Sequence, residues 1–248
     1  MDLLTNEKFL IPLLATLGAS LSVIGMQFIS RYFQEQRQRV YAATYILDVT
    51  YRILFSEITL KKHTITPHIK ATMRMADEDM ELINTALMDD EFDILKAKPV
   101  QFSHLPNEYK VLLGYDDIEL VQMFDSLLYL YENDINRTDL NRFVSNNLKS
   151  AHDFISNTPE KRKDILYTYY DYLNSIDHES NRIIFLVNSR ILLSLTKYLC
   201  RGKFSLFSTC QAINAAKKIE KLLIDNKDIV PEEEYMVNVI NGGIQNEL

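Results

Sequence analysis

Phe9–Ser30 reads FLIPLLATLGASLSVIGMQFIS and holds no ionisable side chain. At 1.5 Å per residue such a helix is about 30 Å long, the thickness of a bilayer's hydrocarbon core. Only Pro12 and Gln27 stand out. Pro12 falls in the first turn of this stretch, where a missing N–H is tolerated. Gln27 is near the other end, within reach of the interface, and Tyr32 and Phe33 follow at the depth where aromatic rings are favoured. A cleaved signal peptide fits less well, because Asp2 and Glu7 offset Lys8 and bulky Leu17 precedes Ala19 by two positions. A buried core helix would keep a polar face, and this stretch has none. The reading is a transmembrane helix over residues 9–30.

Its flanks give an orientation. Arg31, Arg37 and Arg39 follow the stretch, opposed only by Glu35, while one lysine precedes it. Positive flanks stay on the cytoplasmic side. The expectation is a single-pass protein of the inner (plasma) membrane. Residues 1–8 are then a short extracytoplasmic N-terminus, and everything from residue 31 is cytoplasmic. Ala15, Gly18, Ser22 and Gly25 recur at steps of three, four and three, so they share one side of the helix. Small residues let lipid-embedded helices approach closely, which makes this side the expected site of self-association and the chain a candidate homo-oligomer.

Beyond the stretch the periodicity stays helical. Val40, Leu47 and Leu54 recur every seven residues, with Ala43, Ile46, Ile53 and Ile58 beside them. This broad stripe suits packing against later helices or a parallel coiled coil. Asp48 and Arg52, four apart, are expected to pair on the outer face. Thr66-Pro67 is read as a break, followed by a helix with Ile69, Met73, Ala76, Met80, Ile83 and Leu87 inward and an acidic outer face, Asp77–Glu81. Residues 31–95 thus form a long helix and a helical hairpin, and residues 96–107 a loop bracketed by Pro99 and Pro106. Residues 108–230 form a helical bundle and residues 231–248 a mobile tail.

Four helices are expected in that bundle. Their stripes are Ile118, Val121, Phe124, Leu128 and Tyr131; then Leu140, Phe143, Val144, Leu148, Phe154 and Ile155; then Ile165, Leu166, Tyr169, Tyr172, Leu173 and Ile176; and finally Ile213, Ala216, Ile219 and Leu223. Asn157-Thr158-Pro159-Glu160 is a helix start with a capping residue and a proline at the first helical position. The helix it opens is expected to run on to Leu199, with a kink near Asp177. Of the four tyrosines between Tyr167 and Tyr172, two belong inside and two outside. The fold class is all-α, with one N-terminal transmembrane helix continuing into a cytoplasmic helical bundle. Six glycines and six prolines in 248 residues leave little turn chemistry for hairpins, in agreement with that class.

Chemistry is harder to find. The formal charge is −7, and the clusters Lys161-Arg162-Lys163 and Lys217, Lys218, Lys221 are short and helically spaced. They suit solvated faces, so no nucleic-acid partner is expected. Two cysteines, Cys200 and Cys210, supply neither a disulfide framework nor a metal site. Phosphate-binding loops, the nucleophile elbow, the helical zinc motif and the di-iron Glu-x-x-His pair are absent from the sequence. No arginine precedes a histidine at the spacing of helical HEPN ribonucleases. Glu108-Tyr-Lys110 lacks the strands of a nuclease site, and His63 and His68 lack a third ligand. No cofactor, metal or catalytic residue is expected, and the reading leans away from an enzyme. The expected function is a membrane-tethered helical interaction or signalling module, whose partners are the lipid bilayer and a protein not identified by the sequence. The alternative is a membrane-acting effector, of a toxin or phage-defence kind, whose spans oligomerise and perturb the bilayer.

Overall fold

The computed structural model describes residues 7–77, 106–132, 135–148, 154, 156–200 and 206–231, and every regular element among them is helical. Helix α1 (Glu7–Leu60) passes through a π-helical turn, Lys61–Ile65, into α2 (Thr66–Asp77). Then come α3 (Asn107–Asp116), α4 (Ile118–Glu132) and α5 (Ile135–Asn147). Helix α6 (Pro159–Leu186) passes through a second π turn, Val187–Ile191, into α7 (Leu192–Cys200), and α8 (Leu206–Asp225) follows.

Local chemistry accounts for most of these boundaries. Thr158 caps α6, its hydroxyl accepting from the Lys161 N–H at 3.4 Å, with Pro159 opening the helix. Asp117 separates α3 from α4, its carboxylate accepting from the Leu120 N–H at 3.1 Å. The expected break at Thr66-Pro67 does not occur: Thr66 keeps helical backbone angles and donates to the Lys61 carbonyl, five residues back. Pro67 cannot donate to the His63 carbonyl and its ring crowds it, so the preceding turn widens and the helix continues. Pro12 likewise stands inside α1, which begins at Glu7, and not in a first turn. The irregularity expected near Asp177 falls instead at Val187–Ile191, where Asn188 and Arg190 face outward.

Two apolar cores lie in succession along the α1–α2 axis. The first gathers Ala43, Ile46, Leu47, Ile53, Leu54 and Ile58 of α1 with Phe124, Leu127 and Leu128 of α4, Ile183 to Leu199 of α6–α7, and α8. The second joins Ile65, Leu140, Leu148, Phe154 and the stretch Ile165 to Ile176 of α6. Helix α6 runs antiparallel to α1, since Asp177 meets Lys61 and Ser180 meets Glu57. Helix α8 returns along α1 until Asn226 reaches Lys62 at 3.3 Å. Segments on both sides of residues 96–107 therefore share the same cores.

The stripes of α1 and α6 are buried as their spacing implies. Asp48 and Arg52 pair at 2.8 Å on the outer face, while Tyr169 is buried, Tyr170 and Tyr172 are half-buried, and only Tyr167 of these four tyrosines is exposed. The pattern fails at several positions: Met73, Ile118 and Ile213 are exposed, whereas Leu120, Ala212, Ile65 of the π turn, and His68 and Thr72 of α2 are buried. Arg162, read as solvated, is buried. Helix α3 was not anticipated. The acidic run Asp79–Asp93, the second half of the α2 stripe, the 96–105 loop and the tail lie outside the described residues.

Candidate functional site: an exposed apolar arm and a buried polar belt

From Ile11 to Glu35 every side chain of α1 is exposed, apart from a partial shielding of Gly25. Ten large apolar side chains between Ile11 and Ile29 touch no other helix. Burying each would contribute about 1.5–3 kcal/mol, so leaving all ten in water forgoes on the order of 15–30 kcal/mol, more than a domain's net stability. The helix has a window of mean hydropathy 1.6, none of it buried, so it is long and apolar enough to cross a membrane or to act as a signal sequence.

Three hydroxyls of the arm are satisfied within it. The Thr16 hydroxyl donates to the Pro12 carbonyl, Ser20 to Thr16 at 2.8 Å, and Ser22 to Gly18 at 2.8 Å. Hydrocarbon cannot supply these bonds, so internal satisfaction is what a lipid-embedded helix requires. Ala15, Gly18, Ser22 and Gly25 lie within about 80° of one another around α1, and added methyl groups on Gly18 and Gly25 would meet nothing. Arg31 and Arg37 are exposed, whereas Arg39 is half-buried where the first core begins.

Between the two cores lies a polar belt that the sequence reading missed. Glu57 is 0% exposed, and Arg137 Nη2 donates to its Oε1 at 2.6 Å and its Oε2 at 2.7 Å. The Ser180 hydroxyl donates to the same Oε2 at 2.7 Å. One turn on, Lys61 Nζ meets Asp177 Oδ1 at 2.7 Å and Asn181 Oδ1 at 2.6 Å, and Asn181 Nδ2 donates to Asp177 Oδ2 at 3.1 Å. Burial of this kind is tolerated because each charge faces its opposite. A readable signal existed: Glu57 and Lys61 occupy positions three and four residues after Ile53, Leu54 and Ile58, where the stripe calls for apolar side chains. Asp177, Ser180 and Asn181 interrupt the α6 stripe in the same way.

A cleft of ≈ 380 Å³ on α5 and α6, next in sequence to the belt residues, is lined by Asn136, Asn174, Ser175, His178, Glu179 and Arg182. Asn136 Nδ2 donates to Glu179 Oε1 at 2.6 Å across it. The Ser175 hydroxyl donates to the Asp171 carbonyl at 3.0 Å, so its proton is engaged within α6. Deeper in the second core, His68 Nδ1 and the Tyr169 hydroxyl lie 2.7 Å apart. His63 is exposed and His68 buried, and no group of three metal-ligating side chains converges among the described residues. Lys110 belongs to an ion pair with Asp125 at 2.6 Å.

No family model, curated protein or solved structure matches the chain. The belt's charges are engaged with one another and serve packing. The feature that demands something outside the chain is the arm.

Proposed function

We propose that the protein is a membrane-tethered helical module: residues 9–30 cross the inner membrane and a cytoplasmic bundle presents a surface to a protein partner. The observation that carries this reading is the arm itself, exposed from Ile11 to Glu35 apart from Gly25 and uncharged from Phe9 to Ser30. Arg31, Arg37 and Arg39 support a cytoplasmic body, since positive flanks resist translocation. The small-residue side, Ala15, Gly18, Ser22 and Gly25, suits pairing of two spans.

Carbonate extraction and a C-terminal reporter test the placement. The protein should stay in the membrane pellet, and an alkaline phosphatase fused at the C-terminus should be inactive. Release by carbonate would remove the span, whereas phosphatase activity would reverse the orientation. Disulfide cross-linking from single cysteines at the four small positions, in the same membranes, reads the pairing.

A membrane-acting effector is the second reading. It is favoured by the unbroken run of α1 through the π turn into α2, which ties the arm to both cores without a hinge. Dye leakage from vesicles carrying the protein would support it. Tight vesicles at high protein density would leave the tether alone.

A further inference from the structure

Helix α1 leaves its apolar stretch at Ser30 and enters packed surroundings at Gln36. Six residues separate these points, about 9 Å of helix. The headgroup layer on each side of a bilayer is about 5–7 Å deep. Packing at Gln36 therefore begins within a few ångström of the outer edge of the headgroup layer whenever residues 9–30 are in the membrane, so a part of the body that reaches a few residues closer to the arm enters that layer.

Three contacts identify what lies there. Tyr41 and Tyr109 have ring centroids 5.4 Å apart, and Tyr45 and Phe124 6.5 Å apart. Lys110 and Asp125 meet at 2.6 Å, so α3 and α4 form an antiparallel hairpin with its corner at Asp117. That corner is eight residues from Tyr109 and seven from Phe124, which places it about 10–12 Å closer to the arm than those rings. It is level with residues 33–38 of α1, beside Tyr32 and Phe33.

The corner is dressed for an interface. Tyr115 is 86% exposed and Ile118 61% exposed, although the spacing of α4 assigns Ile118 to the core stripe. Asp117 is occupied in capping Leu120. Tyrosine is enriched where one end of a side chain is apolar and the other wet, which is the headgroup region.

We infer that the α3–α4 corner, through Tyr115 and Ile118, is a second membrane contact seated in the interfacial zone of the bilayer that α1 crosses. The inference rests on α1 spanning that bilayer. With Asp117 and Glu119 alongside, the contact is apolar and aromatic in character and does not depend on anionic lipid.

The chain has no tryptophan, so a single introduced one is a clean probe. Full-length Tyr115→Trp, Leu21→Trp and Tyr129→Trp would be reconstituted in phosphatidylcholine vesicles whose acyl chains carry bromine both near the carbonyl and near the terminal methyl. Tyr129 is exposed on the same helix as Ile118, about 30 Å beyond Ser30 along α1. Leu21→Trp and Tyr115→Trp should lose most of their emission and Tyr129→Trp almost none, with the Tyr115→Trp loss unchanged when phosphatidylglycerol is added. Emission from Tyr115→Trp as bright as that from Tyr129→Trp, with Leu21→Trp quenched, overturns the corner contact and leaves the span. An unquenched Leu21→Trp overturns the span and the corner contact with it. Circular dichroism matching the parent guards each reading against misfolding, and Tyr115 makes so little contact that its replacement leaves the core intact.

Discussion

Glu57 accepts three hydrogen bonds inside the protein, from two residues 80 and 123 positions away. Removing it leaves a half-sequestered guanidinium without its carboxylate and a buried hydroxyl without its acceptor. Glu57→Ala should therefore destabilise the protein by about 3–5 kcal/mol, and Glu57→Gln, which keeps the shape and some of the bonding, by less. Urea unfolding of the detergent-solubilised protein measures both. Thr50 offers the opposite case, because its Oγ1 is buried in the first core with no hydrogen-bond partner. Thr50→Val should raise the urea midpoint by an amount equivalent to about 1 kcal/mol. Burial pushes the Tyr169 phenol well above its ordinary value of 10.0. The unfolded chain releases that proton near pH 10 and the folded chain does not, so this contribution is intact below about pH 10 and is lost as the pH rises further. Tyr169→Phe should lower stability by about 1 kcal/mol at neutral pH, through the lost bond to His68, and flatten the alkaline fall. Parallel unfolding series from pH 7 to 11 would show whether the two curves converge. Little of this was legible in advance. A carboxylate at position 57 can be seen to violate its stripe, but its partners lie too far along the chain for spacing to name them.

The two π turns govern how α1–α2 and α6–α7 present their faces. A π turn accommodates about one extra residue without ending the helix, which shifts everything after it by about 100°. Deleting His63, whose side chain is exposed, should restore α-helical register and rotate Ile65, His68 and Thr72 away from α6. Hydrogen exchange should then show α2 losing protection while α4 and α8 keep theirs; unchanged protection of α2 would mean that the turn is not setting its register. Periodicity located the stripes of α1 and α6 because those helices are long enough to average over single exceptions. It failed at the start of α4 and in the last turns of α2, where Ile118 and Met73 are exposed, and also at Ile213 within α8. The Thr158-Pro159 start was readable because its chemistry is local. The Thr66-Pro67 break was misread because proline forbids one hydrogen bond, and packing on α6 decided that the helix should continue through its loss.

The packed part of the protein begins at Gln36, and both cores lie beyond it. Removing residues 1–30 should leave a chain that stays in solution, keeps a strongly helical circular dichroism spectrum, and unfolds at nearly the urea concentration of the parent. A spectrum rich in strand, or a midpoint far below that of the parent, would mean that the arm stabilises the body. At this scale the all-helical class and the apolar arm were legible, since both rest on composition and on a run long enough to be unambiguous. The succession of two cores with a charged belt between them was not, because it depends on which helices are neighbours.

The absence of a hinge between arm and body gives the molecule the mechanics of a mast stepped in a deck. From Ser30 to Met73 the continuous helix extends about 65 Å. A change of 10° in the angle at which the arm sits would swing its far end by about 11 Å, and transmembrane helices commonly tilt by amounts of that order as hydrocarbon thickness changes. With residues 9–30 in a bilayer as proposed, the thickness of that bilayer would become lateral travel at the tip, with the second core and its cleft carried along as cargo.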